Sequence, residues 1–196
     1  MPIKTQENSI LASIRAHEQA FKASFGPENL KVLDELAQRM IDVFKRGNKI
    51  LLCGNGGSAA DAQHIAAEFV GRFKRERKSL PAIALTTDSS ILTALANDYS
   101  YDLVFARQVE GLGQKGDLLI AISTSGASKN VIAAARKAKE MGITVVGFTG
   151  KLGRELQKVS DFNFLAGSEK TSHIQEMHIT ALHAISEAVE DALFPA

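Results

Sequence analysis

"LLCGNGGSAADAQHIAAEF", residues 51–69, passes from an apolar run through a glycine–asparagine turn into a helical pattern. An apolar run of this length, ended by so abrupt a turn and followed by a helix, is a strand–turn–helix unit of a parallel sheet. Four more runs repeat the opening: "PAIALT" 81–86, "DLLIAIS" 117–123, "ITVVGF" 143–148 and "DFNFLA" 161–166, with the first strand itself spanning "KILLCG" 49–54. Most are nearly continuous in apolar residues instead of alternating, as strands covered on both faces require. Helical patterns separate them, most clearly Ser58 to Phe73, Lys129 to Met141 and Ser172 to Leu193. Gly142 closes the second of these before the next strand begins. Strands alternating with helices predict an α/β fold, a five-stranded parallel sheet flanked by helices with right-handed crossovers.

Two amphipathic segments precede the first strand, at about 6–24 and 28–46. Pro27 stands near the start of the second, where proline suits the first helical turn. These helices cover one face of the sheet or pair with a second copy of the chain. No linker, repeat or low-complexity stretch interrupts the 196 residues, so one domain, 1–196, is expected, with a helical segment at 6–46 and an α/β core at 48–196.

Hydrophobic residues make up 45% and charged residues 23%, the balance of a soluble globular protein. A formal net charge of +1 gives no global field for nucleic acid or an anionic membrane. The single cysteine, Cys53, excludes an intrachain disulfide and lies in an apolar run, as a buried inert thiol does. The opening "MPIKTQENSI" lacks the apolar core of a secretory leader, and no stretch reaches the ~20 apolar residues of a membrane span. A cytoplasmic protein is expected.

Two loops carry the chemistry. "GNGGSAAD" follows the first strand and "STSGAS" the third, each opening a helix. Ligands of open parallel sheets sit at such strand ends. Ser123, Thr124, Ser125 and Ser128 offer four hydroxyls within six residues, beside a helix N-terminus that favours anions. Read plainly, Ser128 only caps the helix that follows. The glycine spacing matches neither a dinucleotide fingerprint nor a P-loop, so a phosphorylated small molecule is the better ligand.

His64 and Glu68 stand at i and i+4 and share a helix face just beyond the first loop. Their apolar neighbours Ile65, Ala66, Ala67, Phe69 and Val70 predict a partly buried pair. The last helix carries His173, His178 and His183, with Gln175 eight residues before His183. Eight residues rise ~12 Å, so one ion bridging that pair strains their reach unless the helix is irregular or the donors come from different chains. His173 and His178 read as ordinary polar or core residues. The basic run "GRFKRERKSL", 71–80, reads as a solvated loop, with Arg72 nearest the site helix; aromatic interleaving for nucleic acid is missing. Asp88 or Ser89 is placed to cap a helix, and Tyr99 and Tyr101 read as packing residues.

"GNGGSAADAQHIAAEFVGRF", "TALANDY", "ISTSGASKNVIAA", "GFTG" and "IQEMHITALH", in this order from about residue 10 to the C-terminus, resemble the phosphoheptose isomerases of the SIS (sugar isomerase) superfamily. The resemblance implies a flavodoxin-like fold and a homotetramer with active sites between subunits. It also implies conversion of sedoheptulose 7-phosphate to glycero-manno-heptose 7-phosphate, the first step towards the heptose of lipopolysaccharide core. By motif, it implies one Zn2+ per subunit held by His64, Glu68, Gln175 and His183. Implied substrate contacts are Asn55, Gly56, Gly57, Glu68, Asn97, Asp98, Ser123, Thr124, Ser125, Ser128 and Gln175, with Glu68 and His183 as the acid–base pair. The rival readings are another sugar-phosphate isomerase and a SIS-like adaptor for the bacterial replication initiator. Intact metal and acid–base residues favour the enzyme.

Overall fold

The computed structural model describes residues 9–195; the residues 6–8 expected to open the first helix lie outside this range, as does most of the segment read as lacking a leader. Five strands form one sheet: β1 (Ile50–Cys53), β2 (Ala82–Ala84), β3 (Leu118–Ser123), β4 (Thr144–Gly150) and β5 (Phe162–Ala166). All pairs are parallel and the order is β2-β1-β3-β4-β5. Every predicted strand is present within one or two residues of its expected ends.

Because side chains alternate along a strand, a near-continuous apolar run feeds two cores at once. Ile50, Leu52, Leu118, Ile120, Ile122, Val146, Phe148 and Phe164 point to one face and pack with α2 (Pro27–Lys45), α3 (Gly57–Val70) and α8 (Thr171–Leu193). Leu51, Cys53, Leu119, Ala121 and Val145 point to the other and meet α5 (Val104–Leu112), α6 (Lys129–Glu140) and α7 (Arg154–Val159). Burial pushes the Cys53 thiol up to about 12 against a hydrogen bond with the Ile122 backbone, so it is chemically inert.

Local signals account for the element ends. Pro27 occupies the first turn of α2. Gly142, with φ +71°, follows α6 and closes it as expected. Asp88 is the cap of α4 (Ser89–Asp98), accepting from the Ile91 amide at 2.9 Å. The helix predicted to reach Phe73 stops at Val70, because Gly71 leaves helical geometry. α1 (Ser9–Ser24) lies outside α8 and β5 and leaves Leu11, Ile14 and Phe21 exposed.

Candidate metal and sugar-phosphate site

The strand order reverses between β1 and β3, and the two loops singled out in the sequence leave the sheet there. Gly56 takes φ +56°, a conformation glycine adopts without strain, and turns the chain into α3. A Cβ on Gly57 would collide with the Gln175 carboxamide of α8, so only glycine lets the two helices approach here. Asn55 is fixed by a reciprocal pair of bonds with buried Asn130, at 2.8 and 2.9 Å, and by the Tyr101 hydroxyl donating to its Oδ1 at 3.2 Å. Tyr101 is exposed and ties the short helical turn Tyr101–Leu103 to the β1 loop, which overturns its reading as a packing residue. Asn97 and Asp98 end α4 just before that turn, exposed, with the Asn97 amide donating to Asp98 at 2.9 Å.

In the β3 loop, Ser128 flanks α6 without a side-chain capping bond. Its hydroxyl instead meets that of Ser123 at 2.9 Å, and Ser125 lies 3.4 Å from Ser123 while accepting from the Ala127 amide. The hydroxyls thus gather into one group at the N-terminus of α6, the arrangement an anion needs. Thr124 and Ser125 also line a cleft of about 200 Å³ with Gly150, Lys151, Arg154 and Ser168.

Two turns along α3 stand His64 and Glu68. Glu68 Oε1 is 3.0 Å from His64 Nε2, and His183 Nε2 of α8 is 3.2 Å from the same nitrogen. Both helices leave parallel strands in the same direction, so residues far apart in the chain run side by side. The expected partial burial holds for Glu68, whose side chain is 22% exposed; His64, at 49%, faces outward in the single chain because it sits on the rim of the α3–α8 groove. One ligand atom from each of His64, Glu68 and His183 lies within 4.8 Å of the others. Donors of a tetrahedral zinc, with bonds of ~2.0–2.1 Å, lie ~3.3 Å apart. The observed 3.0 and 3.2 Å separations fit that set. His64 Nε2 thus lies against both the Glu68 carboxylate oxygen and His183 Nε2, and the three donors are close enough together to share one cation.

Gln175 lies elsewhere. α8 is one continuous helix, which removes the irregular-helix explanation, and Gln175 packs at Gly57, about 10 Å along α3 from His64. His173 and His178 are buried, as expected of core residues. Burial lowers the His183 imidazole, the His64 ring adds to this, and Glu68 opposes it.

Several contributors escaped the sequence reading. Asp61, one turn before His64, has a buried Oδ2 without a hydrogen-bond partner, and burial pushes its carboxyl up to about 6 despite the opposing pull of His64. The basic loop is not simply solvated. Arg77 and Glu190 form an ion pair with side chains 1% and 2% exposed, Arg75 pairs with Asp191 at 2.7 Å, and Lys74 pairs with Glu187. Arg72 is exposed, 3.8 Å from Glu76. Each anchoring carboxylate lies more than a hundred residues away, so local composition alone could not reveal it.

The fold and sequence are shared with known proteins. The model of the SIS domain family matches residues 16–150. The chain is 60% identical over 159 residues to a phosphoheptose isomerase from Roseiflexus sp. (strain RS-1), covering 81% of both chains. It is 53% identical to one from Campylobacter concisus (strain 13826), across 91% of this chain and 94% of that one. The structure of phosphoheptose isomerase from Neisseria gonorrhoeae superposes with a TM-score of 0.89 at 38% identity, covering 95% of this chain and all of that one.

Proposed function

This chain belongs to the phosphoheptose isomerase family of SIS-domain proteins, and from that premise we propose that it converts sedoheptulose 7-phosphate to D-glycero-D-manno-heptose 7-phosphate. It is an aldose–ketose isomerase, and its product enters the ADP-heptose route to lipopolysaccharide core. The observation that carries the residue assignments is the approach of Glu68 and His183 to within 4.8 Å of each other, with the clustered hydroxyls of the β3 loop as the separate phosphate-binding group.

The reaction moves one proton between adjacent carbons. Glu68 takes a proton from C1 of the ketose, giving an enediol, and returns it to C2. His183 shifts the compensating proton from O1 to O2. Groups so placed each contribute ~10²–10⁴ in rate. Ser123, Thr124, Ser125 and Ser128 hold the phosphate, turning remote binding energy into orientation of C1 and C2. Asn55, Gly56 and Gly57, with Asn97 and Asp98, contact the sugar hydroxyls.

His64, Glu68 and His183 are assigned as ligands of one Zn2+ per subunit, a choice the nitrogen and oxygen donors support. An ion held there supplies Lewis-acid polarisation of the substrate's carbonyl oxygen. Gln175 is assigned as the fourth donor and a substrate contact; its place at the Gly57 turn supports the second role more directly. The exposed apolar residues of α1 support assembly into a homotetramer, which would offer Gln175 to a neighbouring site. Among the described residues, no helix is long and apolar enough to cross a membrane, which supports action on a dissolved sugar phosphate. An adaptor for the replication initiator has no need of this acid–base set.

The test is to incubate zinc-loaded protein with sedoheptulose 7-phosphate in D2O and follow the products by NMR. The heptose aldose phosphate is expected, with deuterium at C2 only to the extent that the proton on Glu68 exchanges with solvent before its return. Recovery of the ketose alone would overturn the assignment.

A further inference from the structure

The buried Arg77–Glu190 pair reaches both halves of the proposed acid–base pair. The Glu190 carboxylate accepts from the amides of Phe73 (3.1 Å), Lys74 (2.7 Å) and Arg75 (3.1 Å) and from Arg77 Nε (2.8 Å). Burial raises its pKa, but these donors outweigh that and hold it below the usual carboxylate range. Four donors on one buried carboxylate leave the loop at 73–75 a single position over α8. That position stacks the Phe73 ring on the His183 imidazole, with centroids 5.7 Å apart and planes 28° from parallel.

Arg77 works on the other side. Its guanidinium donates to the carbonyls of Glu68 (2.6 Å), Phe69 (2.8 Å) and Gly71 (3.2 Å) at the C-terminal end of α3, where Phe69 also accepts from the Leu80 amide. The backbone of Glu68 is therefore tied through Arg77 to Glu190 on the helix that carries His183.

We propose that Arg77 and Glu190 are positioning residues that set the separation of Glu68 from His183, with Phe73 fixing the imidazole plane. This rests on the isomerase reading above. Neither charged group reaches substrate; both act through the backbone and the ring they hold. The planar fork of arginine is needed to satisfy carbonyls and carboxylate together, which a lysine cannot do.

The test measures kcat, KM and calorimetric Zn2+ affinity of the full chain for wild type, Glu190→Gln, Arg77→Lys and Phe73→Leu. Asp117→Asn is the control. Asp117 is another buried carboxylate, held by Lys49, Asn48 and the Gln114 amide at the start of β3, the opposite end of the sheet from the site. Outer residues that orient metal ligands typically change affinity or activity 10–100-fold. The expected result is a kcat loss of about 10–100-fold in Glu190→Gln and Arg77→Lys with KM within about threefold and Zn2+ affinity about tenfold weaker. Phe73→Leu, which leaves the ion pair intact, loses about tenfold in kcat with little change in unfolding midpoint. Asp117→Asn loses stability but keeps kcat per folded molecule. If Glu190→Gln and Phe73→Leu behave as Asp117→Asn does, the positioning role is wrong while the isomerase reading stands. A wild-type chain that binds Zn2+ but leaves the sugar phosphate unchanged overturns the isomerase reading and this one with it.

Discussion

Ser128 separates two readings of its position in the sequence, a helix cap and a phosphate contact. Immediately before a helix, a serine usually caps, and removing a capping hydroxyl costs about 1 kcal/mol. Here the hydroxyl makes no capping bond and turns towards Ser123. Ser128→Ala is therefore expected to leave the urea midpoint nearly unchanged while raising KM for the sugar phosphate about tenfold, the effect of one lost hydrogen bond to a charged group. A lower midpoint with unchanged KM would restore the capping role. Tyr101 teaches the converse. Nothing local marks it as more than an aromatic near a helix end, yet its hydroxyl braces Asn55, 46 residues earlier. Residue type and spacing reveal donors already aligned on one helix, such as His64 and Glu68. They are silent about partners that only the fold supplies.

At the scale of elements, α8 joins a wet edge to a dry core. His183 reaches the groove, while His178, five residues earlier, is buried against Phe148 and Phe164 with Nε2 donating to the Thr149 carbonyl at 3.0 Å. Its Nδ1 is buried without a hydrogen-bond partner, so the ring must stay neutral. Burial pushes its pKa down to about 4, with the Thr149 carbonyl opposing. The unfolded chain takes up this proton near pH 6.5 and the folded one resists it. The stability from a neutral His178 is thus complete above about pH 6.5 and lost as pH falls towards 4, about 3 kcal/mol in all. Urea unfolding of wild type and His178→Gln at pH 7 and pH 4 checks this. Wild type is expected to lose about 3 kcal/mol more than the variant over that interval, and equal losses would contradict the assignment. The strands and the helices after β1, β3 and β5 were legible because each is a run of one periodicity bounded by Gly, Asn or Ser. From Asp88 to Leu112 only the cap at Asp88 was legible: α4 has no buried residue, and α5, with Val104, Phe105 and Val109 buried, is only nine residues long, too short for its apolar face to repeat.

For the whole molecule, order along the chain matters less than the point where the strand order reverses. β1 and β3 deliver the two loops assigned to sugar and phosphate to that point, and α3 and α8 run alongside to bring residues 64–68 against 183. The motifs located both loops, but the approach of Glu68 and His183 to within 4.8 Å is a product of helix packing between residues 115 positions apart. Arg77 with Glu190 was illegible for the same reason: a charge run reads as solvated until its buried counter-charge is known. The central claim is that Glu68, held beside His183, is the base that moves the proton between C1 and C2. Steady-state turnover of sedoheptulose 7-phosphate by zinc-loaded Glu68→Gln, with substrate affinity measured in parallel, tests it most directly. A kcat loss of at least about 100-fold with the sugar phosphate still bound is expected. Turnover near the wild-type rate would contradict that claim.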